Sequence, residues 1–271
     1  MAGFGGRLRD DFAPAGCKIV YFLEVRLERT SAPSGVQETI VEKRLKLRIK
    51  PAVGDVPLPG LYMNNPSDEY SLYREEPIHD SKSKSLTGRI SMKLEQPECF
   101  YLPLRDPIKL ISEAVRLVMD YTPSDSNPAP MPPQLKTLHA KITATTIYTT
   151  NVNDSQPLSR KKDFFKRPIN YRDVEVPLSG PSIPSLHWMR NGLGTYTATL
   201  LVPVTLPKDR SFITTFESCL ISRTYKLSFH LAVQGALRGF RLSAPMRIAA
   251  ERDPAVLPSY NASLGIIDVE C

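Results

Sequence analysis

Apolar residues recur at every second position along much of this chain. In "YFLEVRLER" they fall at Leu23, Val25 and Leu27 with charges between them, and "KRLKLRIK" repeats the arrangement at Leu45, Leu47 and Ile49. Successive side chains of a strand point to opposite faces, so such alternation predicts strands with one face on a core and the other in water. "GRISMKLEQ" reads the same way at Ile90, Met92 and Leu94, and "LHAKITATTIYTT" sets Leu138, Ala140, Ile142, Ala144, Thr146 and Tyr148 on one side. "DVEVPL" adds a short strand. "TYTATLLVPVTL" carries Tyr196, Ala198, Leu200, Val202 and Val204, and "YKLSFHLAV" carries Tyr225, Leu227, Phe229, Leu231 and Val233. "GFRLSAPMRIAA" closes the series; its Pro245 predicts an edge or a bulge, because proline cannot donate to a ladder. Roughly eight to ten strands joined by turn-rich connections predict an all-β antiparallel sandwich.

One segment is ambiguous on pattern alone. "PIKLISEAVRLVMDY" has Ile111, Val115 and Val118 at helical spacing with Ser112 as a cap, yet "VRLVMDY" reads equally as a strand. The best boundary lies between residues 51 and 86, where "PAVGDVPLPGLYMNN" is rich in proline and glycine and "HDSKSKSLTG" is polar. "TPSDSNPAPMPP" and "NVNDSQPLSRKKDFFKRPINYRD" read as long loops. No repeat of fixed period is visible.

Composition narrows the class. A chain of 271 residues has room for one large domain or two ordinary ones, and 41% hydrophobic with 23% charged residues is globular composition. Proline outnumbers glycine, 25 to 14, which suits turns and edges more than long helices. The formal charge of +7 implies a solvated positive surface or attraction to an acidic membrane or a phosphorylated partner; it is spread along the chain, with no nucleic-acid module in view. The 4 cysteines (Cys17, Cys99, Cys219, Cys271) are far apart and form no C-x-x-C, which predicts free thiols in a reducing compartment, with neither a disulfide frame nor a zinc site. The first residues lack an apolar signal core and no apolar run reaches membrane-spanning length, so a cytoplasmic location is expected.

No catalytic pattern is recognisable: there is no H-E-x-x-H, G-x-S-x-G or P-loop, and "GLGTYT" lacks the third glycine and the context of a dinucleotide site. His79, His139, His187 and His230 are scattered, with His139 and His230 on the polar side of their strands, which predicts solvent-facing rings. Trp188 in "SLHWMRN" reads as core packing where a strand begins. The expectation is a protein that is not an enzyme and uses neither metal nor cofactor. Two clusters are candidate contact surfaces. "SRKKDFFKRP" places Arg160, Lys161, Lys162, Lys166 and Arg167 around Phe164 and Phe165, a combination that docks on anionic lipid or forms a solvated loop with its rings tucked in. Lys43, Lys46, Arg48 and Lys50 in "EKRLKLRIK" read as a solvated face or a protected edge.

"SCLISRTYKLSFHLAVQG" followed by "RLSAPMRIAA" resembles the closing strands of an arrestin C-terminal domain, with a Ser-to-Tyr-x-Leu segment leading to a last strand ending in Pro245-Met-Arg-Ile248. "LTGRISMKLEQPECFYL" resembles the strand that opens that domain, "PPQLKTLHAKITATTIY" a middle strand pair, and "CKIVYFLEVRLER" a strand late in an arrestin N-terminal domain. In style the chain is similar to fungal arrestin-related trafficking adaptors over roughly residues 15 to 260. The resemblance implies an immunoglobulin-like sandwich at 87–250, residual N-terminal-domain strands at 1–50, a linker at 51–86 and a tail at 251–271. It also implies a strand at Val115–Tyr121. The first strands of the N-terminal domain have no counterpart, so residues 17–50 are expected to form a hairpin leaning on the sandwich with one face poorly buried.

The resemblance further implies an adaptor that links membrane cargo, through its cytoplasmic segments, to ubiquitin ligase and endocytic machinery. In such adaptors a Pro-Tyr motif recruits a WW domain of a HECT-type ubiquitin ligase, the proline packing between aromatic rings and the tyrosine filling a pocket. Leu257-Pro258-Ser259-Tyr260 matches it, with Leu257, Pro258 and Tyr260 as contact residues. The alternative is a structural β-sandwich subunit of a vesicle or retromer-type sorting complex.

Overall fold

A computed structural model describes residues 12, 14, 21–31, 36–47, 70–80, 83–103, 109–124, 131–149, 170–178, 186–192, 194–217 and 220–251. In these residues the chain is all-β. β1 (Tyr21–Ser31) and β2 (Val36–Leu47) pair antiparallel as a ribbon of their own. A five-stranded sheet follows in the order β3 (Tyr73–His79), β4 (Leu86–Leu94), β6 (Ser112–Pro123), β10 (Tyr196–Thr205), β9 (Met189–Arg190). A four-stranded sheet has the order β12 (Phe240–Met246), β11 (Ile221–Val233), β7 (Leu135–Tyr148), β8 (Asn170–Pro177), and β5 (Phe100–Leu102) pairs parallel with β13 (Ile248–Ala250).

The two larger sheets bury their alternating residues against each other as a sandwich. Ile90, Met92 and Leu94 of β4, Val115, Leu117, Met119 and Tyr121 of β6, and Ala198, Leu200, Val202 and Val204 of β10 come from one sheet. Leu138, Ala140, Ile142 and Ala144 of β7, Tyr225, Leu227, Phe229, Leu231 and Val233 of β11, and Phe240, Leu242, Ala244 and Met246 of β12 come from the other. The helical reading of residues 107–121 gives way to a strand: the buried set is Val115, Leu117, Met119 and Tyr121, with period two, and Val118 lies on the other face.

A seam closes one side of the sandwich. Ser71 and Ser243 exchange backbone hydrogen bonds of 3.1 and 2.8 Å, and the amide of His79 donates to the carbonyl of Gly235 at 2.8 Å. The chain at the start of β3 thus meets β12, and the end of β3 meets the turn between β11 and β12. Gly235 has φ +82°, and a Cβ there would stand 2.6 Å from the His79 carbonyl, so this close approach requires glycine. Within the interval 51–86, expected to be a linker, Tyr73–His79 is therefore a strand of the sandwich.

Proline placement follows the ladders. Leu178 donates to Ala140, which with the β7–β8 register makes the even-numbered residues of β8 the bonded ones and turns Pro177 outward. By the same alternation Pro77 of β3, Pro123 of β6, Pro203 of β10 and Pro245 of β12 all direct their ring nitrogens away from the partners of their ladders. Pro245 sits on an edge strand, as its interruption of the pattern predicted.

Candidate interaction surfaces

The ribbon departs from the expectation that its alternation marks a core-facing side. Leu23, Val25 and Leu27 are 53%, 60% and 57% exposed, and Leu45 opposite Leu23 is 62% exposed. With Val41 opposite Leu27 they form an apolar stripe interrupted by Lys43 opposite Val25. The other face is an ion-pair lattice. Arg44 reaches Glu24 at 2.7 Å and Glu42 at 2.9 Å, Arg26 pairs with Glu24, and the Arg44 guanidinium lies 5.4 Å from the centre of the Phe22 ring. A two-stranded ribbon has no second layer of its own to cover an apolar face, so the same period-two code that builds a core elsewhere leaves one face exposed here. The hairpin itself is as expected, but no described residue covers this stripe, so it does not lean on the sandwich through it.

The expected ligand residues Leu257, Pro258 and Tyr260, and the basic-aromatic cluster Arg160, Lys161, Lys162, Phe164, Phe165, Lys166 and Arg167, lie outside the described residues. Their roots are defined. The segment carrying the basic cluster leaves β7 at Tyr148 and returns to β8 at Asn170, and these two residues are paired neighbours. The C-terminal segment departs after Glu251, whose amide donates to the Leu102 carbonyl at 2.8 Å and whose carboxylate accepts from Lys109 at 2.6 Å.

That root of the basic segment adjoins a cluster of polar and aromatic side chains at one end of the sandwich. Arg223 is only 1% exposed at the start of β11, directly opposite Thr146 of β7, which in turn is opposite Arg172 of β8. The Arg223 guanidinium lies over two rings, 5.9 Å from the centre of Phe12 and 6.0 Å from that of Tyr225. Phe12 is fully buried and meets Phe212 edge-on with centroids 5.3 Å apart. Phe212 is held by its neighbour: the Tyr225 hydroxyl donates to the Ile213 carbonyl at 2.9 Å and accepts from its amide at 3.3 Å. Phe216 and Arg223 exchange backbone hydrogen bonds of 3.2 and 2.9 Å. The next residue, Glu217, is half-buried, and burial pushes its carboxyl above the usual range. Sequence reasoning missed this cluster. Arg223 occupies an inward position of a strand, where alternation calls for an apolar residue, and that mismatch was the available signal.

Elsewhere, His139 and His230 are exposed and directly opposite each other on the outer face, with Arg241 next in the same row. The expectation of solvent-facing histidines holds. Trp188 packs on the core as anticipated, edge-on to Tyr121 with centroids 6.4 Å apart. Among the described residues no group of three or more His, Cys, Asp or Glu side chains is placed to hold a metal ion, and no helix is long and apolar enough to cross a membrane. Cys99 is a free thiol whose pKa burial raises. No known family model matches this chain, and no curated protein sequence matches it significantly.

Proposed function

We propose that the chain is a cytoplasmic arrestin-like adaptor that couples cytoplasmic segments of membrane transporters or receptors to a HECT-type ubiquitin ligase. The observation that carries the reading is the position of Leu257-Pro258-Ser259-Tyr260 in sequence after β13, the last strand among the described residues. Glu251 ties the end of β13 to Leu102, so the segment that carries the motif has its root on the β5–β13 pair. A proline-preset extended segment ending in tyrosine has the chemistry of a WW ligand. Arg160, Lys161, Lys162, Lys166 and Arg167 with Phe164 and Phe165 supply a contact to an anionic membrane on this reading, from a segment whose two ends are fixed on neighbouring strands. On this reading the adaptor works by binding contacts, with no cofactor and without nucleic acid. The test is a titration of the whole chain and its Tyr260→Ala variant against an isolated WW domain. Saturable binding that the variant loses at least tenfold supports the reading, and equal binding or none sinks it.

A second reading is a structural subunit of a vesicle or retromer-type sorting complex. It is favoured by the exposed stripe of Leu23, Val25, Leu27 and Leu45, which a permanent assembly partner would cover. Recovery of a stable coat assembly that survives Tyr260→Ala distinguishes it.

A further inference from the structure

Both long edges of the β1–β2 ribbon are open: among the described residues no third strand pairs with either. Strands of 11 and 12 residues thus make a sheet of two, which is marginal in water until a further strand joins it. Neither strand contains proline, so nothing in the backbone blocks such pairing. The two edges differ in regularity. The register shifts between Leu27 and Glu28, where Ile40 of β2 is left without an opposite residue. The bulge therefore lies in β2, and β1 runs evenly.

The sequence of β1 is self-complementary when it pairs antiparallel with itself about Val25. Leu23 then falls opposite Leu27 of a second copy, Glu24 opposite Arg26, and Val25 opposite Val25, each pair repeated by the two-fold axis. Within one ribbon Arg44 stands opposite Glu24, and Glu42 opposite Arg26. The row across four strands therefore runs Arg44, Glu24, then Arg26 and Glu42 of the copy, alternating in sign. The apolar face continues likewise, as Leu45, Leu23, then Leu27 and Val41 of the copy. Centring instead on Glu24 or on Arg26 sets like charges together at the axis, and centring on Leu27 sets Val25 opposite Arg29. The corresponding register of β2, centred on Lys43, brings two ammonium groups together. Lys43 also argues against two stripes packing face to face. It is exposed in the middle of the stripe, opposite Val25, and a second stripe laid over it would drive its ammonium into an apolar contact. Edge pairing leaves it on an outer strand, in water.

We propose that two copies of this chain associate through β1, edge to edge and antiparallel about Val25, so that two ribbons become one four-stranded sheet. The backbone ladder supplies the attraction, and the Glu24–Arg26 pairs fix the register. The pair presents every other surface of the chain twice, so a partner that is itself clustered is held with avidity.

Sedimentation equilibrium of the whole chain across a dilution series is the test, and a reversible monomer–dimer equilibrium is the expected result. Glu24→Arg with Arg44→Glu keeps the pair inside the ribbon with its signs exchanged, but turns like charge toward a second copy. It should weaken the dimer at least tenfold, and Arg26→Glu with Glu42→Arg should do the same. An equimolar mixture of these two doubly substituted chains restores the alternation and should recover the dimer. A chain that stays monomeric at every concentration overturns the proposal. So does a dimer that both substituted chains retain, or a loss that the mixture of folded chains does not repair. Should a charge exchange unfold the ribbon, seen as lost strand signal in circular dichroism, two single substitutions decide instead. Val25→Lys should weaken the dimer at least tenfold, and Lys43→Ala should leave it unchanged. A dimer indifferent to Val25→Lys, or one that Lys43→Ala tightens as face-to-face packing requires, rejects edge pairing.

Discussion

The hydroxyl of Tyr225 grips both backbone groups of Ile213, donating to the carbonyl at 2.9 Å and accepting from the amide at 3.3 Å. One side chain of β11 thereby fixes the irregular chain after β10 and sets Phe212 against it. Tyr225→Phe keeps the ring and its packing but leaves two part-buried backbone groups without that partner. A loss of about 1–3 kcal/mol in urea unfolding is expected, with the denaturant slope unchanged. Unchanged stability would mean that the Ile213 groups find other partners.

Gly88 of β4 makes room for Tyr121 of β6. A Cβ at this position would stand 2.7 Å from the Tyr121 ring and 2.5 Å from the Thr122 carbonyl. Gly88→Val should cost about 1–3 kcal/mol or more through overpacking. Part of that cost should be recovered when Tyr121→Leu removes the ring. The remainder belongs to the Thr122 carbonyl, which no side-chain change can move. A double-mutant cycle in chemical denaturation separates the two contributions.

Glu217 gives the fold a pH signature. Burial raises its carboxyl pKa, so the folded state holds the proton more tightly than the unfolded state does. Below the unfolded pKa both states are protonated and nothing is lost. As pH rises through the unfolded and then the raised folded value, the ionised group costs stability, and the full penalty is present at neutral pH. Glu217→Gln should therefore melt higher than the unsubstituted chain at pH 7 and at the same temperature near pH 3. Melting curves across that range check both the sign and the window.

The ribbon should be separable from the sandwich in energetic terms. Val25 is 60% exposed, whereas Leu227 is fully buried. Val25→Lys should change the main unfolding transition by no more than about 0.5 kcal/mol. Leu227→Ala should lower it by about 2–5 kcal/mol. A large effect of Val25→Lys would show that the apolar stripe is covered in solution, and sedimentation at several concentrations would then identify a second copy as the cover.

Much of the sandwich was legible because its central strands carry their burial in their spelling. Ile90, Met92 and Leu94, and likewise Tyr225 through Val233, are read directly as inward faces. β3 was not legible. In "YREEPIH" only Ile78 is buried, because an edge strand clipped at its ends needs few apolar residues and tolerates Pro77. The ribbon misled in the opposite sense: alternation reports that a face is apolar, and says nothing about whether a second layer exists to cover it. The Arg223 cluster was hidden for a third reason. Arg223, Thr146 and Phe12 are remote in sequence, and the one signal was the inward place of Arg223 in its strand; only the β7–β11 register sets it opposite Thr146.

The strand prolines carry a consequence for how this molecule meets others. A sheet edge that offers an unbroken row of amides can be extended by any passing strand, including one from an unfolding neighbour. Pro177 and Pro203 each interrupt such a row on a side of the sandwich that the seam leaves open, and Pro77 and Pro245 do the same on the strands that flank the seam. Growth by strand addition is thereby discouraged on every long edge of the sandwich. Recognition is left to side chains at its ends, where a partner must match shape and charge instead of merely lending a backbone.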